Sequence, residues 1–472
     1  MMEPEIDLLA IERGSVSAPA GCGKTHLIAQ ALIRGAGRKP NLMLTHTNAG
    51  VAALRARLDR AGVPPSSYRL STIDGWAIRL IHTFPARSGH DPQILKLTRP
   101  GQDYPAIREA AHRLLAGGHL NDVLPATYER LIVDEYQDCQ LPQHDIVVAA
   151  AESLRTCVLG DPLQAIFDFS GPVVDWKEHV QAHFPAAGEL ATPYRWINAG
   201  ARAFGEWLLE ARHKLLAGQP VDLRTAPGGH VSWVPLDGSD DFKRQLEACR
   251  TPPVTKDGSV LIMGDSRSPP EQWRYASLTP GAVTVESVDM RGLVAFAQGF
   301  DLRRPGSFEH LLEFADSLMS GLGRPAFLAR VARHRQGSSP TPPTDAERAA
   351  LEFCHAPSYR RAIDLLVELN KQTGVNVHRR TMLTCCLKTL RECQEDVPGA
   401  LAEAAVRVRE EHRLLGRPLP KRAVGSTLLL KGLEAEVAVI LDPAPMNRAH
   451  LYVAMTRGSN RLVVCSRTPI LG

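Results

Sequence analysis

The sequence predicts an α/β protein whose parallel sheets are covered by helices on both faces. Short apolar runs, each beside polar or glycine residues, alternate with amphipathic helical segments along much of the chain. Strands that are buried on both faces show such continuous apolar runs rather than an alternating pattern. The runs are "NLML" (41–44), "LIVDE" (131–135), "TCVLGD" (156–161), "VLIM" (260–263), "VAVIL" (437–441) and "RLVV" (461–464).

The length and the order of these segments predict more than one domain. A chain of 472 residues, 44% hydrophobic and 22% charged, is too long for a single core. A block of helical segments separates the last two strand runs from the earlier ones. We predict a first domain (1–80 and 126–190) with a small insertion (81–125), and a second domain (191–286 and 416–472) with a helical insertion (287–415).

Composition restricts the class of protein. The net charge of +4 is slight, so it permits a local basic groove without arguing for nucleic acid. No apolar run approaches the length of a membrane span, and the acidic start "MMEPEIDLLAIERG" does not resemble a signal peptide. We therefore expect a cytoplasmic protein with no membrane partner. Four of the nine cysteines, Cys354, Cys385, Cys386 and Cys393, permit a metal cluster, but the spacing favours reduced thiols packed in helices.

The segment "VSAPAGCGKTH" (16–26) has the features of a phosphate-binding loop. Such a loop needs backbone N–H groups at a helix N-terminus, a lysine for the outer phosphates and a hydroxyl for magnesium. Gly21 and Gly23 permit the tight backbone, and Lys24 and Thr25 provide the side chains. Ala18 departs from the strict pattern. Taken alone, the segment is also compatible with a chance turn before a helix.

A second motif, "LIVDEYQD" (131–138), completes a nucleotide site. An apolar strand delivers Asp134 and Glu135 at its carboxyl end, which is where ligands of parallel sheets bind. One carboxylate can hold magnesium, and the next can orient and deprotonate the attacking water. An acidic pair after a strand is often only a solvated turn. The phosphate-binding loop upstream favours the functional interpretation.

Seven segments together are similar in order and wording to the UvrD/Rep/PcrA helicases of superfamily 1. They are "APAGCGKT", "LTHTNAGVAALRARL", "IVDEYQD", "LGDPLQAIFDFSG", "TPYRW", "LKGLEAEVAVI" and "LYVAMTRGSNRLVV". Ala18 is usual in that family's loop. The resemblance implies two RecA-like P-loop domains, ATP and Mg²⁺ in the cleft between them, and single-stranded DNA or a tailed duplex as the partner.

The resemblance also implies a role for each matching residue. Lys24 would bind the phosphates, Thr25 and Asp134 would hold magnesium, and Glu135 would activate water. Gln164 would sense the γ-phosphate, Tyr194 would stack on the base, and Arg195 and Arg457 would act as arginine fingers. The other nucleotide contacts would come from Ala20, Gly21, Cys22, Gly23, His26, Gly432 and Glu434. The DNA-binding residues would be Thr45, His46, Asn48, Ser71, Thr72, Phe167 and Phe169.

Several departures from the family leave the biological role open. Residues 1–17 contain no glutamine or asparagine to read adenine, Leu428 replaces a coupling histidine, and both insertions are compact. One hypothesis is a translocase or helicase that moves 3′→5′ on single-stranded DNA. Another is a DNA-stimulated NTPase that serves as a sensing or regulatory subunit of a nuclease complex in anti-phage defence, like the helicase-like subunit of Gabija. A P-loop NTPase or scaffold unrelated to nucleic acid is the third.

Overall fold

The computed structural model describes residues 6–35, 37, 39–166, 172–287, 289–393, 399–414 and 420–472. The chain forms two compact units. The first comprises Met1–His230, Met446–Asn460 and Ile470–Gly472, and the second comprises Val231–Pro445 and Arg461–Pro469.

The strands form two large sheets and two small ones. In chain order they are β1 (Arg13–Ser17), β2 (Asn41–Thr45), β3 (Tyr68–Thr72), β4 (Leu131–Val133), β5 (Thr156–Gly160), β6 (Ala186–Glu189), β7 (Val221–Asp222), β8 (Val231–Pro235), β9 (Val260–Gly264), β10 (Val283–Thr284), β11 (Met319–Ser320), β12 (Asn376–Val377), β13 (Arg422–Ser426), β14 (Ala435–Ile440), β15 (Gly458–Ser466) and β16 (Ile470–Leu471).

Helices connect the strands and cover the sheets. They are α1 (Lys24–Arg34), α2 (Asn48–Arg60), α3 (Ile73–Thr83), α4 (Pro85–Ser88), α5 (Pro100–Ala116), α6 (Val123–Thr127), α7 (Leu141–Ala150), α8 (Gln181–His183), α9 (Tyr194–Asn198), α10 (Arg202–Leu216), α11 (Asp241–Cys249), α12 (Pro269–Leu278), α13 (Arg291–Gly299), α14 (Ser307–Leu318), α15 (Arg324–Arg335), α16 (Asp345–His355), α17 (Tyr359–Lys371), α18 (Arg380–Glu392), α19 (Ala400–Leu414), α20 (Thr427–Leu430) and α21 (Arg448–Met455).

The first unit contains a six-stranded sheet in the order β3-β2-β4-β5-β1-β6, and each pair of neighbours is parallel. Successive strand residues enter different cores. In β4, Leu131 and Val133 pack in one cluster and Ile132 packs in the other. The sheet is therefore covered on both faces, which explains why the sequence runs are apolar throughout.

The second unit contains a six-stranded sheet in the order β10-β13-β9-β14-β15-β8. The pairs of β13 with β10 and β9, of β9 with β14, and of β15 with β8 are parallel. Helices α13 to α19 lie between β10 and β13 along the chain and share one apolar core. The predicted α/β class, with two parallel sheets and a helical insertion in the second, is confirmed.

The short insertion of the first sheet packs into the core of its own unit. Helix α5 buries Ile107, Leu114 and Leu115 in the cluster that also contains Trp76 of α3 and Ile146 of α7. A polar contact also joins α5 to α3, because Arg108 of α5 forms an ion pair with Asp74 of α3 (2.7 Å). This insertion is thus a part of the first unit's core.

Two segments after the first sheet also belong to the first unit. Residues 191–230 and 446–460, which we assigned to the second domain from the sequence, pack with the first sheet. Strands β7 and β16 pair antiparallel within this unit. The boundaries of the RecA-like domains remain a prediction.

Two negative findings apply to the part of the chain that the structure describes. Within the ranges given above, no helix is both long and apolar enough to cross a membrane. Among the same residues, no group of three or more His, Cys, Asp or Glu side chains is arranged to hold a metal ion. Of the four cysteines considered above, Cys385 and Cys386 are buried in α18, and Cys354 and Cys393 are partly buried.

Buried His378 makes the stability of the second unit sensitive to acid. Among the described residues its Nδ1 has no hydrogen-bond partner, and burial, together with the charge of Arg379, lowers the pKa of this histidine to about 4. In the unfolded chain this histidine protonates near its ordinary pKa of 6.5, so above that pH His378 does not reduce the free energy of unfolding. As the pH falls from 6.5 towards about 4, the unfolded chain takes up a proton that the folded protein does not, and the free energy of unfolding decreases.

We therefore predict that His378→Asn reduces the acid sensitivity of the second unit. Thermal melting of the full chain between about pH 7.5 and pH 4.5 should show a shallower decline, by up to about 1.4 kcal/mol per pH unit for one group. His355→Asn, which replaces an exposed histidine of the same unit, should leave the slope unchanged. Equal slopes for wild type and His378→Asn would contradict the prediction.

Candidate nucleotide site and nucleic-acid track

The predicted phosphate-binding loop connects β1 to α1 and adopts a backbone that suits glycine. Gly21 and Gly23 have φ values of 71° and 82°. A Cβ atom on Gly21 would lie 2.6 Å from the ring of Trp196, and one on Gly23 would lie 2.9 Å from the ring of Tyr194. Two reasons therefore favour glycine at both positions: the left-handed backbone conformation and the close approach of α9. The loop leads directly into the N-terminus of α1, which attracts anions.

Helix α9 holds two predicted site residues against this loop. The Arg195 backbone N–H donates to the Gly21 carbonyl oxygen (3.0 Å), and the Tyr194 ring lies against Gly23. The Arg195 guanidinium donates to the carbonyl oxygen of Thr456 (2.6 Å). The structure thus brings Tyr194 and Arg195 to the loop.

Lys24 and the acidic pair also come together. The Lys24 ammonium lies 2.8 Å from Asp134 Oδ1 and 2.5 Å from Glu135 Oε1. Burial by itself would lower the pKa of Lys24, but the two carboxylates outweigh it and raise that pKa above its ordinary value. Glu135 has a φ of 55°, an uncommon conformation for a residue with a side chain. Such strain is often concentrated at functional sites.

A chain of hydrogen bonds extends from Glu135 to Gln164. The Gln137 amide donates to Glu135 Oε2 (2.7 Å), and Gln137 Oε1 accepts from the Asp161 backbone N–H (3.1 Å). The Gln164 amide donates to Asp161 Oδ2 (3.0 Å). The side chains that would activate water and sense the γ-phosphate are therefore linked through Gln137 and Asp161.

The remaining loop residues have partners within the first unit. The Ala20 backbone N–H donates to the Tyr452 hydroxyl (3.1 Å), and the hydroxyl of Thr25 accepts from Arg57 (3.3 Å). The ring of His26 is hydrogen-bonded to the Gln30 amide (2.9 Å). Cys22 is buried in the core below the loop.

Arg457 lies one residue beyond the Thr456 carbonyl that binds Arg195. Its side chain is only 3% exposed, and its Nε donates to the Val453 carbonyl oxygen (2.8 Å). The two predicted arginine fingers thus approach the same turn at the end of α21. By contrast, Gly432 and Glu434 lie between α20 and β14 in the second unit, where both are exposed. Their contact with a nucleotide remains a prediction.

Five of the seven predicted DNA-binding residues lie at or just beyond the carboxyl ends of β2 and β3, namely Thr45, His46, Asn48, Ser71 and Thr72. Thr45 and Thr72 are opposite each other in the parallel pair, and Ser71 is opposite Leu44. Thr72 caps α3 by accepting from the Gly75 N–H (2.9 Å). The carboxyl ends of β1, β4 and β5, with the nucleotide-site residues, belong to the same edge of the sheet.

These residues differ in accessibility. Thr45 is buried, His46 is half-buried and hydrogen-bonded to Gln143 (3.2 Å), and Asn48 is exposed. The Asn48 and His46 side chains are thus better placed than Thr45 to meet a ligand. Phe167 and Phe169 lie outside the described residues.

Five residues of the site were not singled out as functional from the sequence. Gln137 and Asp161 stand within quoted motifs, so the motifs themselves contained a signal for them. Arg57 and Tyr452 also lie in quoted segments, but nothing in the wording indicates their contacts with Thr25 and Ala20. Arg212, in α10, lies outside every motif.

The residues fit a magnesium nucleotide. The loop is a cradle that a Cβ atom on either glycine would fill, and it offers backbone N–H groups at a helix start. A lysine, a hydroxyl and two adjacent carboxylates converge on it. Hard oxygen ligands of this kind suit Mg²⁺. The arrangement can therefore bind phosphates and position a carboxylate next to them as a general base.

Comparison with known protein families supports the resemblance to UvrD-like helicases. Residues 95–185 match the sequence model of the UvrD/REP helicase N-terminal domain. This match confirms the resemblance to UvrD-like superfamily 1 helicases in a segment that includes the acidic pair and Gln164. The phosphate-binding loop lies outside the matched range.

Two further comparisons concern curated proteins and solved structures. A search of curated proteins found no match. Among solved structures, a similar chain occurs in the "Complex structure of Arterivirus nonstructural protein 10 (helicase) with DNA", with 12% identity and a TM-score of 0.34. The match covers 96% of the present chain and 60% of the arterivirus chain.

We predict that Gly21→Ala weakens binding of a fluorescent ATP analogue by at least about tenfold, because the new methyl group forces the loop away from Trp196 and Arg195. Gly62→Ala is the matched control, since Gly62 has a similar φ of 73° with no atom near its Cβ position. It should lower the melting temperature but leave affinity unchanged. Unaltered binding by Gly21→Ala would show that the loop is not the cradle.

Proposed function

We propose that this protein is a UvrD-like, DNA-dependent ATPase that uses ATP and Mg²⁺ to move 3′→5′ on single-stranded DNA. The observation that carries the proposal is the connected group Lys24–Glu135–Gln137–Asp161–Gln164 at the carboxyl edge of the first sheet. The match of residues 95–185 to the UvrD/REP helicase N-terminal domain supports the same activity.

Each residue has a role that its surroundings support. Backbone N–H groups of the loop and Lys24 would hold the phosphates, while Thr25 and Asp134 would hold Mg²⁺. Glu135 would orient and deprotonate the attacking water. Bound Mg²⁺ would neutralise charge that develops on the transferred phosphoryl group.

Residues of α9 and the turn after α21 would complete the site. Tyr194, beside Gly23, would stack on the base. Arg195 and Arg457 would stabilise negative charge in the transition state, as guanidinium groups do in related reactions. Their shared contact region at Thr456 supports a common movement of both arginines.

The first sheet connects the nucleotide site with the proposed DNA track. Thr47 and Thr72 cap α2 and α3, and these helices begin where β2 and β3 end. Asp134 follows β4, the strand next to β2. A movement of DNA at the ends of β2 and β3 would therefore be transmitted to Asp134 and Glu135 through the neighbouring strand β4.

A second candidate is the sensing or regulatory subunit of a nuclease complex in anti-phage defence. The compact insertion of the first unit favours it, because α5 is buried against α3 and α7. Strand separation costs about 1.4 kcal/mol of stacking per base-pair step. A chain whose first insertion is packed into its own core, and so is not free to grip a junction, would translocate better than it unwinds.

The first test separates binding from chemistry. Glu135→Gln should lower kcat by about 10²–10⁴-fold while nucleotide affinity changes little, because the general base is lost and the phosphate contacts remain. Lys24→Ala should lose both, since it removes the cation of the cradle. ATP hydrolysis with saturating single-stranded DNA and titration of a fluorescent nucleotide measure the two effects.

Glu129→Gln is the control, because Glu129 is an exposed carboxylate just before β4, at the opposite edge of the sheet. It should behave as wild type. Wild-type turnover in Glu135→Gln would refute the assignment of Glu135.

The second test concerns movement and unwinding. We expect hydrolysis stimulated by single-stranded DNA, 3′→5′ movement, and weak unwinding of a 3′-tailed duplex by the isolated chain. DNA affinity should fall steeply with salt, because the contacts are mostly to phosphates. Fluorescence unwinding assays on 3′-tailed and 5′-tailed duplexes, with and without any co-purifying partner, measure this.

The outcomes discriminate between the candidates. Processive unwinding by the lone chain would argue against the regulatory subunit, and preference for the 5′ tail would overturn the polarity. Hydrolysis without any response to DNA would contradict both.

A further inference from the structure

Arg212 of α10 is a buried arginine that joins the ends of three strands in the first sheet. It is 1% exposed. Its Nε donates to Asp161 Oδ1 (3.1 Å), one amino group donates to Glu189 Oε1 (2.8 Å), and the other donates to Ser17 Oγ (2.9 Å). Ser17 ends β1, Glu189 ends β6, and Asp161 follows β5.

The hydrogen bond to Asp161 links Arg212 with Gln164, a residue of the proposed catalytic site. Asp161 Oδ1 also accepts from the Leu163 N–H (3.3 Å), while Oδ2 accepts from the Gln164 amide (3.0 Å). The side chain of Asp161 is therefore held on one oxygen by Arg212 and directs Gln164 with the other. A buried carboxylate is costly unless it is paired and hydrogen-bonded, so Arg212 and Asp161 hold each other in place.

The same residue connects to Glu135 through the backbone. The Asp161 N–H binds Gln137, whose amide in turn binds Glu135 Oε2. Movement of Asp161 would consequently disturb the oxygen that accepts from Gln137, as well as Gln164.

The contact with Ser17 acts on the loop. Ser17 is the last residue of β1, directly before the segment that leads to Gly21 and Gly23. Tyr452, whose hydroxyl accepts from the Ala20 N–H, is also buried. Arg212 therefore supports the base of the cradle while Tyr452 supports its middle.

We propose that Arg212 is a positioning residue for nucleotide hydrolysis, which orients Gln164 and Glu135 through Asp161 and fixes the entry of the loop through Ser17. This inference rests on the proposed ATPase function. Arg212 itself touches neither the phosphates nor the water. Its action depends on a planar group that donates in three directions, which a lysine ammonium does not reproduce from the same position.

Arg212→Lys is the first test, because it retains the positive charge and removes the fork. With saturating single-stranded DNA and ATP, kcat should fall about 10- to 100-fold relative to wild type, since small displacements of catalytic groups have effects of that size. The dissociation constant of a fluorescent ATP analogue should stay within about threefold, because ground-state phosphate contacts remain.

Arg130→Lys is the matched control. Arg130 is a buried arginine of the same unit, and it binds the carbonyl oxygens of Leu8, Leu9 and Ile11 at the opposite, amino-terminal end of β4. It should lower the melting temperature and leave kcat unchanged. A loss of kcat in both variants in proportion to stability would overturn the inference, because Arg212 would then be only structural.

The double variant with Gln164→Ala tests the route of action. If Arg212 acts through Asp161 on Gln164, the loss of kcat in Arg212→Lys with Gln164→Ala should be clearly smaller than the product of the two single losses. Multiplicative losses would overturn this route. Should Arg212→Lys fold poorly, Asp161→Asn tests the same link with little change in shape, and wild-type kcat in Asp161→Asn would overturn the inference.

The outcome is separable from the proposed function. If wild-type protein hydrolyses no ATP with DNA present, the proposed function fails. If wild type is active and Arg212→Lys matches it in kcat, only the role of Arg212 fails.

Discussion

The parallel pairing of β1 with β5 is the constraint on which the site depends. It places Ser17 opposite Gly160, so that the phosphate-binding loop and Asp161 leave the sheet side by side. The next pairing places Val133 of β4 opposite Val158 of β5, which adds Asp134 and Glu135 to the same edge. Because all carboxyl ends of a parallel sheet face one way, three distant segments of the chain meet without any long loop.

Buried charges then define the geometry at that edge. Lys24 lies between two carboxylates, and Arg212 lies between Asp161 and Glu189. Lys24, Asp134, Arg212 and Asp161 are largely buried and would be costly to bury without partners, so these ions restrict one another's positions, whereas Glu189 is exposed. Gln137 joins the two groups, since it bonds both Glu135 and the Asp161 backbone. The site is thus one polar network, in which a change at one member is felt by the others.

Late parts of the chain complete this network within the first unit. Tyr452 binds the Ala20 N–H, and Arg195 binds both Gly21 and the Thr456 carbonyl oxygen. The close packing of α9 on the loop depends on glycine at position 21, where any side chain would meet Trp196. In the proposed ATPase, the same contacts would let movement of the arginines and of the loop be coupled.

The sequence alone determined the α/β class, the loop around Lys24 and the acidic pair, because apolar runs and glycine spacing are local patterns that follow directly from strand burial and backbone conformation. The apolar run 41–44 also predicted a strand that ends just before Thr45, though not that Thr45 is buried, and no run predicted the strand that ends at Thr72. Only the tertiary structure revealed Arg212, since its partners lie 51, 23 and 195 residues away along the chain and no local pattern relates them. The burial of Arg457 and the grouping of residues 191–230 with the first sheet were likewise decided by packing, which depends on contacts between segments rather than on the residues of any one segment.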